Sequence, residues 1–352
     1  MANAFIPLKM QDIRGLSLED LKNALKEWGQ PPFHARQIFF WIYKRGIKDF
    51  TQMSDLSLEL RNRLKENFYL SNLSPVEILQ SKDGTEKFLF RLKDGNLVEA
   101  VIIPAKGRVT GCVSTQAGCK FACRFCASGL SGFKRNLSSA EIMEEVLYLK
   151  NHSAAKKLTH LVFMGTGEPL DNYDFVMKAI RIINSPEALD IGARRITIST
   201  AGVIPGIKKL SQEGLQIELS VSLHAADDKT RSQLMPINKI YPIKDLLVAC
   251  NDYMEKTNRQ VTFEYVLIKG LNSDLPSAQK LSTILNGLRL AKVNLIPSNP
   301  VKELKMEPPE RADILGFKGY LLKHGINTTL RKSRGEDIEA SCGQLRLKYE
   351  KK

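Results

Sequence analysis

The sequence lacks the apolar segments that export or membrane insertion would require. No window of the 352 residues approaches the ~20 apolar residues that a membrane-spanning helix needs. The first residues, MANAFIPLKMQDIRG, contain no basic stretch followed by an apolar run, which is the pattern of a secretory signal. We therefore expect a cytoplasmic protein that does not associate with membranes.

Cysteine and histidine are both scarce. Six cysteines in 352 residues are too few for a disulfide framework, and most of them are clustered, which suits a reducing cytosol and a metal site. None of the five histidines lies within twenty residues of Cys123 and Cys126, and this disfavours a zinc site of mixed cysteine and histidine ligands. Internal repeats and low-complexity linkers are also missing from the sequence.

Acidic residues are outnumbered by basic ones. The chain has 52 Lys and Arg against 38 Asp and Glu, a formal net charge of +14. Such a surface favours a polyanionic partner, most commonly nucleic acid, although a generally basic, solvated surface is the alternative. The length favours one large domain with a smaller one, and the 43% hydrophobic content is enough for a sizeable core.

Residues 1–95 are interpreted as a small helical accessory domain that ends in a hairpin linker. Ser17 followed by Asp20 predicts the start of an amphipathic helix, and two further helices are expected at 34–43 and 57–67. The aromatic residues of the second helix are interpreted as core, whereas the basic residues around them could track phosphates.

Two Asp-Gly turns predict the strands that follow. They flank the expected strand 88–92, which pairs as a hairpin with the strand 97–103. Glu99 lies within the second of these strands, among apolar residues. From the sequence alone, an ordinary outward-facing carboxylate is the simpler interpretation of Glu99.

Residues 96–345 alternate between short apolar strands and helices, the pattern of an α/β domain with a parallel sheet, and 346–352 form a basic tail. Strands are expected near 109–115, 159–164, 194–199, 216–223, 260–267, 292–296 and 326–331. Helices are expected near 138–151, 171–184, 204–213, 242–256, 275–287 and 310–323, with Asp171 as a cap. Small and polar residues recur after these strands, and chemistry in such sheets gathers at the C-terminal strand ends.

Three thiols follow the first of these strands. Cys119, Cys123 and Cys126 have the spacing C-x3-C-x2-C, and soft sulfur ligands favour iron–sulfur clusters, zinc or copper(I). A [4Fe–4S] cluster needs a ligand for each of its irons, so three local cysteines leave one iron for a distant cysteine or for a substrate. Zinc, or no metal at all, remains the alternative.

The second strand of the α/β region ends in Met164-Gly165-Thr166-Gly167-Glu168-Pro169. The glycines allow close approach of a ligand to the backbone. Gly-Thr-Gly-Glu alone would be weak evidence of a site, but its place one strand after the cysteines strengthens it.

Together these motifs resemble the radical S-adenosylmethionine (SAM) enzymes, and over nearly the whole chain the RlmN type of RNA adenine carbon-2 methyltransferase. The resemblance rests on 112–119, 164–170, 222–225, 297–300, 331–335 and 340–345. A related group, Cfr, methylates carbon 8 of the same rRNA base, and 168–170, 297–300 and 331–335 look more like RlmN. The resemblance implies a partial (β/α)6 barrel with the N-terminal accessory domain.

The resemblance also implies residue roles. Cys119, Cys123 and Cys126 would hold a [4Fe–4S] cluster, with Cys342 as methyl carrier, Cys112 as its resolving partner and Glu99 as proton acceptor. The remaining implied positions would bind SAM: Gly167, Glu168, Ser199, Ser222, Leu223, His224 and Asn299. Cys250 matches no motif and is expected to be a buried thiol.

The implied chemistry uses two SAM molecules per turnover. The first would methylate Cys342, and the second would be cleaved to a radical that activates the S-methyl group for addition to carbon 2 of adenine. Glu99 or Cys112 would remove the ring proton, and a Cys112–Cys342 disulfide would form as the RNA leaves. The implied partners are rRNA, tRNA next to the anticodon, and an electron donor such as flavodoxin or ferredoxin, and a monomer is expected.

Three other functions stay open from the sequence. They are carbon-8 methylation of the Cfr type, radical SAM chemistry on a substrate other than RNA, and RNA binding without catalysis around a structural metal.

Overall fold

The computed structural model describes residues 10–130, 132–152, 157–298, 306–331, 334–338, 345, 346 and 349. The N-terminal module is helical. Its elements are β1 (Gln11–Asp12), a 3-10 helix (Ile13–Gly15), α1 (Leu18–Glu27), α2 (Phe33–Phe39), a π-helix (Phe40–Arg45), a 3-10 helix (Phe50–Gln52), α3 (Leu58–Asn67) and β2 (Phe68–Tyr69). The predicted start of α1 is confirmed, because Ser17 and Asp20 form a reciprocal capping box.

Three antiparallel strands lead into the α/β region. They are β3 (Pro75–Gln80), β4 (Glu86–Arg91) and β5 (Leu97–Ala105), and β5 pairs antiparallel with β6 (Arg108–Cys112). Next comes a short ribbon, β7 (Gln116–Gly118) and β8 (Phe133–Asn136), with α4 (Ala127–Leu130) between its strands. The expected boundary at residue 95 therefore falls between two paired strands of one sheet, and the division into domains stays a prediction.

The remaining elements alternate between helix and strand. They are α5 (Ser139–His152), β9 (His160–Phe163), α6 (Tyr173–Asn184), a 3-10 helix (Ala193–Arg195), β10 (Ile196–Thr200), α7 (Ile204–Leu210), β11 (Glu218–Ser222), α8 (Asp228–Leu234), a 3-10 helix (Pro236–Lys239), α9 (Ile243–Thr257), β12 (Val261–Leu267), α10 (Leu275–Leu285), β13 (Ala291–Pro297), α11 (Arg311–Lys323), β14 (Asn327–Leu330) and a 3-10 helix (Glu336–Ile338). Every strand and helix expected in this region forms close to its predicted bounds. The short helix α8 was not predicted.

One ten-stranded sheet joins both sets of strands, in the order β14-β13-β12-β11-β10-β9-β6-β5-β4-β3. From β6 to β14 all neighbours are parallel. Within the described residues β14 and β3 are the two edges, so the sheet is open rather than a closed barrel. The α/β class and the partly open barrel expected from the resemblance are confirmed.

The two faces of this sheet differ in polarity. One face, which includes Phe163, Ile198, Val221 and Phe263, packs in the main hydrophobic core with the helices. By strand alternation and register, the opposite face carries polar side chains on neighbouring strands, among them Ser199, Ser220 and Glu264. We call this second face the concave face, and it is the one that can hold a polar ligand.

The N-terminal module is fixed to α5. Ser139 Oγ donates to the carbonyl of Gly15 at 2.9 Å, and Arg14 pairs with Glu144 at 3.4 Å. A Cβ on Gly15 would lie 3.0 Å from the main-chain nitrogen of Ala140, so glycine permits this close contact.

After β14 the chain returns to the far edge of the sheet. Ser81 Oγ, in the turn between β3 and β4, donates to Asp337 at 2.5 Å, and the Gly335 N–H donates to Asp83 at 3.1 Å. Gly335 and Asp337 therefore link the end of β14, at one open edge, to the turn beside β3, at the other. Among the described residues, none of the helices has the length and apolar character to cross a membrane.

Candidate active site

The three clustered cysteines lie on a loop at the C-terminal edge of the parallel strands. The β7–β8 ribbon holds its base, where the Cys119 N–H donates to the Gly132 carbonyl at 3.1 Å. A Cβ on Gly118 would lie 1.8 Å from that carbonyl oxygen, so the ribbon requires glycine there. Further along, Arg124 N–H donates to the carbonyl of Leu234 at 2.9 Å. The loop is thus tied both to the ribbon and to the end of α8.

The thiols of this loop lie close to one another and to Glu168. Burial, with a smaller effect from the charges of Cys126 and Glu168, raises the pKa of Cys119 to about 12. Burial, with Cys126 and Cys119, also raises the pKa of Cys123 well above its usual range. Without a cation Cys119 and Cys123 therefore stay protonated, and a metal centre would favour their thiolate forms. Across the described residues no three His, Cys, Asp or Glu side chains are already gathered as a metal-binding group.

Two residues of this site have strained backbone conformations. Four described non-glycine residues have positive φ, and two of them are Ala122, at 47° inside the cysteine loop, and His224, at 57° after β11. The left-handed region costs a non-glycine residue about 1–2 kcal/mol. Such strain persists only where the surroundings impose it, and it tends to occur at functional sites.

The segment after β9 lies directly on the segment after β6. A Cβ on Gly165 would lie 2.6 Å from the Val113 carbonyl oxygen, and Gly167 has φ +107° with an added Cβ 2.5 Å from Cβ of Gln116. Glu168 N–H donates to Gln116 Oε1 at 2.8 Å. Both glycines are therefore required by the close approach of two backbones.

Glu168 is a buried carboxylate beside the thiol loop. Its oxygens accept from the N–H of Ala201 at 2.6 Å and of Leu170 at 3.0 Å. Burial nevertheless raises the pKa of Glu168 to about 7. The carboxyl group thus lies where a cationic ligand would favour its ionised form.

The other sequence-predicted positions after β10 and β11 differ in where they point. Ser199 and Ser222 are half-buried on the concave face. Leu223 is fully buried in the hydrophobic core, so only its backbone is available to a ligand. His224 is buried, its Nδ1 accepts from the Val266 N–H at 3.0 Å, and burial lowers its pKa to about 3.

Cys112 and Glu99 lie on the concave face of neighbouring strands. Cys112 is buried and pairs with Val101, two residues from Glu99 on β5. Glu99 is 3% exposed, and its Oε2 lies 3.1 Å from Nζ of the buried Lys87. The outward orientation suggested by the sequence alone is therefore wrong, because β5 is buried on both faces.

Two buried residues of the site carried no signal in the sequence. Arg231 on α8 donates to the carbonyls of Ala201, Ser222 and Leu223, and so ties together the ends of β10 and β11. Lys87 is the second. Asp171, expected to cap α6, instead accepts from Gln116 Nε2 at 2.9 Å, and α6 begins after Asn172.

Two predicted site residues, Cys342 and Asn299, lie outside the described residues. Cys250 is buried in the core, as predicted.

The residues present fit an iron–sulfur cluster with a polar ligand beside it. Three thiols without a neighbouring imidazole are a soft donor set. At the same edge of the sheet, the hydroxyls of Thr166 and Ser298 are buried without a hydrogen-bond partner in the part of the chain that the structure describes. Buried hydroxyls are normally satisfied, so these two favour a bound polar molecule.

Comparison with family models gives two matches. Residues 113–277 match the model of the radical SAM superfamily, and residues 11–70 match the ribosomal RNA large subunit methyltransferase N-terminal domain. The first match contains the cysteine loop and the segments after β9, β10 and β11. The second coincides with the helical module.

Similar proteins cover almost the full chain. A Heliobacterium modesticaldum protein named "Probable dual-specificity RNA methyltransferase RlmN" is 46% identical over 345 residues, which cover 95% of this chain and 89% of that protein. A Clostridium novyi protein of the same name is 45% identical over 341 residues, covering 97% and 99%. The crystal structure of a radical SAM methyltransferase from Sphaerobacter thermophilus matches with a TM-score of 0.90 at 43% identity, covering 96% of this chain and 99% of that one.

Proposed function

This chain belongs to the RlmN family of radical SAM RNA methyltransferases, and on that basis we propose that it methylates carbon 2 of adenosine in large-subunit rRNA and, next to the anticodon, in tRNA. Its relatives are named dual-specificity RNA methyltransferases. The net charge of +14 suits a polyanionic substrate. A stacked base cannot reach a buried site, so we propose that the target adenosine is splayed out of a loop into the barrel mouth.

We propose that Cys119, Cys123 and Cys126 hold the [4Fe–4S] cluster, as membership of the superfamily implies. SAM would be held by Gly167, Glu168, Ser199, Ser222, Leu223, His224 and Asn299, with two molecules used per turnover. When bound, the cluster and SAM would supply one-electron chemistry. Carbon 2 of adenine needs it because this electron-poor carbon is not a nucleophile and cannot accept a methyl group from SAM by ordinary displacement. Glu168 would hold the cationic amino group, and Leu223 would act through its backbone.

The observation that best supports a cysteine-pair mechanism is the contact between Glu99 and Arg346. The Arg346 N–H donates to Glu99 Oε1 at 2.6 Å, and Glu99 is two residues from the strand partner of Cys112. Cys342 precedes Arg346 by four residues. The proposed methyl carrier is thus a near neighbour in sequence of a residue that contacts Glu99.

In this mechanism Cys342 accepts a methyl group on Sγ and presents it to carbon 2 of the base. Glu99 or Cys112 takes the ring proton. Sγ of Cys112 then attacks Sγ of Cys342, the bond between that sulfur and the transferred carbon breaks, and its electron pair stays with the released methylated base. A cellular reductant reopens the resulting disulfide. Cys112 is buried, with 6% of its surface exposed, and this limits the access of water to its thiol.

We further propose that the N-terminal module holds the RNA around the target base, that the cluster receives electrons from a flavodoxin or ferredoxin, and that the enzyme is a monomer.

The test is methylation of rRNA and tRNA by purified, cluster-loaded protein, with mass spectrometry of the nucleosides. We expect 2-methyladenosine with the unaltered protein and none with Cys342→Ala, which should still hold iron. Cys112→Ala should leave protein covalently bound to RNA on a denaturing gel. Cys250→Ala is the matched control, and it should methylate normally because that thiol lies in the core.

Other outcomes would support the alternatives. Full activity of Cys342→Ala excludes the carrier mechanism. Formation of 8-methyladenosine would assign the Cfr type of reaction, and SAM cleavage that does not depend on RNA would point to a different substrate.

A further inference from the structure

A lysine is buried on the concave face of β4, the strand next to the sheet edge β3. Lys87 lies on β4 opposite Val101 of β5, on the same face as Cys112, which also pairs with Val101. Its side chain is 0% exposed, and its Nζ lies 3.1 Å from Glu99 Oε2. A charged amine at such a position is stable only when it is paired, and the carboxylate of Glu99 provides the pairing.

The second oxygen of the same carboxylate holds the C-terminal segment. Glu99 Oε1 accepts the main-chain N–H of Arg346 at 2.6 Å, across 247 residues of sequence. Leu345 and Arg346 also make contacts that do not involve Glu99. Leu345 packs with Leu89 and Leu97, and Arg346 Nη2 donates to the Ser128 carbonyl at 3.3 Å.

These contacts form a clasp, which we define as Lys87, Glu99 and Arg346. Ser128 follows the cluster cysteine Cys126 by two residues, so the clasp brings the C-terminal segment against both the sheet and the cysteine loop. A buried ion pair is a weak source of stability and could be replaced by apolar side chains of similar volume. An apolar replacement of Glu99, however, could not accept the Arg346 N–H.

We propose that Lys87 is a positioning residue: it fixes the Glu99 carboxylate so that Oε1 accepts the Arg346 N–H. Methyl loading of Cys342, four residues before Arg346 in the chain, then depends on this contact. The role of Cys342 in this statement rests on the proposed function, whereas the clasp itself does not. Glu99 acts here as an acceptor for the main chain, in addition to any role in proton removal.

The first test measures the clasp without catalysis. Hydrogen exchange followed by mass spectrometry reports the Arg346 amide in the full, cluster-loaded protein. Loss of a hydrogen bond to a charged group should speed that exchange about tenfold or more in Lys87→Met. Lys106→Met is the control, since Lys106 is an exposed lysine of the β5–β6 turn and should leave the exchange unchanged.

Two further variants separate the clasp from general destabilisation. Arg346→Pro removes the donor but leaves Lys87 and Glu99 intact, whereas Arg346→Ala keeps the N–H and removes only the guanidinium. The double variant Lys87→Met/Glu99→Gln is neutral and retains an amide oxygen for Arg346, so it should exchange more slowly at Arg346 than Lys87→Met. If Lys87→Met does not fold, the double variant is compared with the unaltered protein: faster exchange at Arg346 supports the role of Lys87, and unchanged exchange overturns it.

The second test links the clasp to function. Methyl loading of Cys342, measured by mass on denatured protein, should be slowed about tenfold or more in Lys87→Met and in Arg346→Pro. In the complete methylation reaction, the KM for RNA should be unchanged. A purely structural role would instead lower stability without slowing loading in the folded fraction.

Different results would overturn the clasp and the carrier mechanism. Unchanged Arg346 exchange in folded Lys87→Met overturns the clasp, whatever Cys342 does. Fast exchange with normal loading overturns the positioning role. Normal activity of Cys342→Ala with fast exchange in Lys87→Met would overturn the carrier mechanism and leave the clasp in place.

Discussion

The ring of His224 packs edge-on against the ring of Phe125, with their centroids 4.5 Å apart. His224 follows β11, and Phe125 lies between two of the clustered cysteines, so the contact joins the strand end to the cysteine loop. Nδ1 of His224 accepts the Val266 N–H at 3.0 Å, which leaves the ring proton on Nε2 of the neutral imidazole. The imidazole is therefore fixed in one protonation state and one tautomer.

This burial predicts a pH dependence of stability. Burial, aided by the charge of Arg231, lowers the pKa of His224 to about 3, whereas in the unfolded chain it is about 6.5. The neutral form is thus favoured by folding. The contribution of the neutral imidazole to the free energy of unfolding is complete above about pH 6.5. It is lost as the pH falls from there towards 3, by up to about 1.4 kcal/mol per pH unit.

The measurement compares free energies of unfolding in urea from about pH 7.5 to about pH 5.5, for the unaltered protein and for His224→Asn. Asparagine does not titrate, tolerates the φ of +57° at this position and can accept the Val266 N–H. The variant should lose less stability on acidification, since titration of Glu144 and Glu168 is common to both proteins. Parallel pH profiles would contradict a buried neutral imidazole.

Gly167→Ala should lower SAM affinity about tenfold or more and destabilise the fold by about 1–3 kcal/mol. Its Cβ would lie 2.5 Å from Cβ of Gln116 at a φ of +107°, and Glu168 is the next residue. Gly95→Ala is the matched control, with φ +86° and nothing within 4 Å of the added Cβ. The control should cost about 1 kcal/mol and bind SAM normally. Calorimetry and urea unfolding measure both quantities, and equal SAM affinities would contradict the role of Gly167.

Arg231→Lys should destabilise the protein by about 3 kcal/mol and weaken SAM binding. Arg231 is fully buried, and its planar fork reaches the carbonyls of Ala201, Ser222 and Leu223, which a lysine cannot reproduce. Thermal unfolding of Arg231→Lys tests the bridging role, and the same change at an exposed arginine, Arg194→Lys, is the control. Equal melting temperatures for these two variants would exclude the bridging role.

The elements of the sheet were predictable because their signals are local. Apolar runs bounded by turn residues locate β9 to β14, and the spacing of Cys119, Cys123 and Cys126 is a property of eight residues. The lysine and arginine that organise the site were not predictable in this way. Lys87 becomes meaningful only beside Glu99 and Arg346, which lie 12 and 259 residues further along the chain.

Glu99 shows the limit of pattern reasoning most clearly. Alternation assigns a side to a residue only when one face of a strand is exposed, and β5 is buried on both faces from Leu97 to Ile102. A carboxylate there could face either the helices or the concave face. The partner that decides, Lys87, sits on the neighbouring strand.

The N-terminal module presents a surface that suits single-stranded RNA. Phe33, Arg36, Phe40 and Lys44 follow one another at helical spacing, and we call them the aromatic–basic stripe. Phe33 is 55% and Phe40 43% exposed, and Phe40 thus departs from the expectation that the aromatic residues of the second helix are core. The guanidinium of Arg45 lies 5.4 Å from the centre of the Phe40 ring. Exposed aromatic rings flanked by cations are the arrangement on which unpaired bases stack.

Two variants of this surface should therefore differ in their salt dependence. Phe40→Ala should weaken RNA binding by about 1–3 kcal/mol without altering the salt slope, because it removes a stacking face. The triple variant Arg36→Ala/Lys44→Ala/Arg45→Ala should weaken binding and reduce the slope of log K against log salt by about 0.7 for each phosphate that is no longer neutralised. Filter binding at several salt concentrations measures both effects. Lys208→Ala/Lys244→Ala/Lys323→Ala removes three exposed charges from helices of the α/β region and is the matched control. An equal decrease of the slope in the control would mean that the module contributes only general charge, whereas a selective decrease would locate the phosphate-binding groups on the stripe.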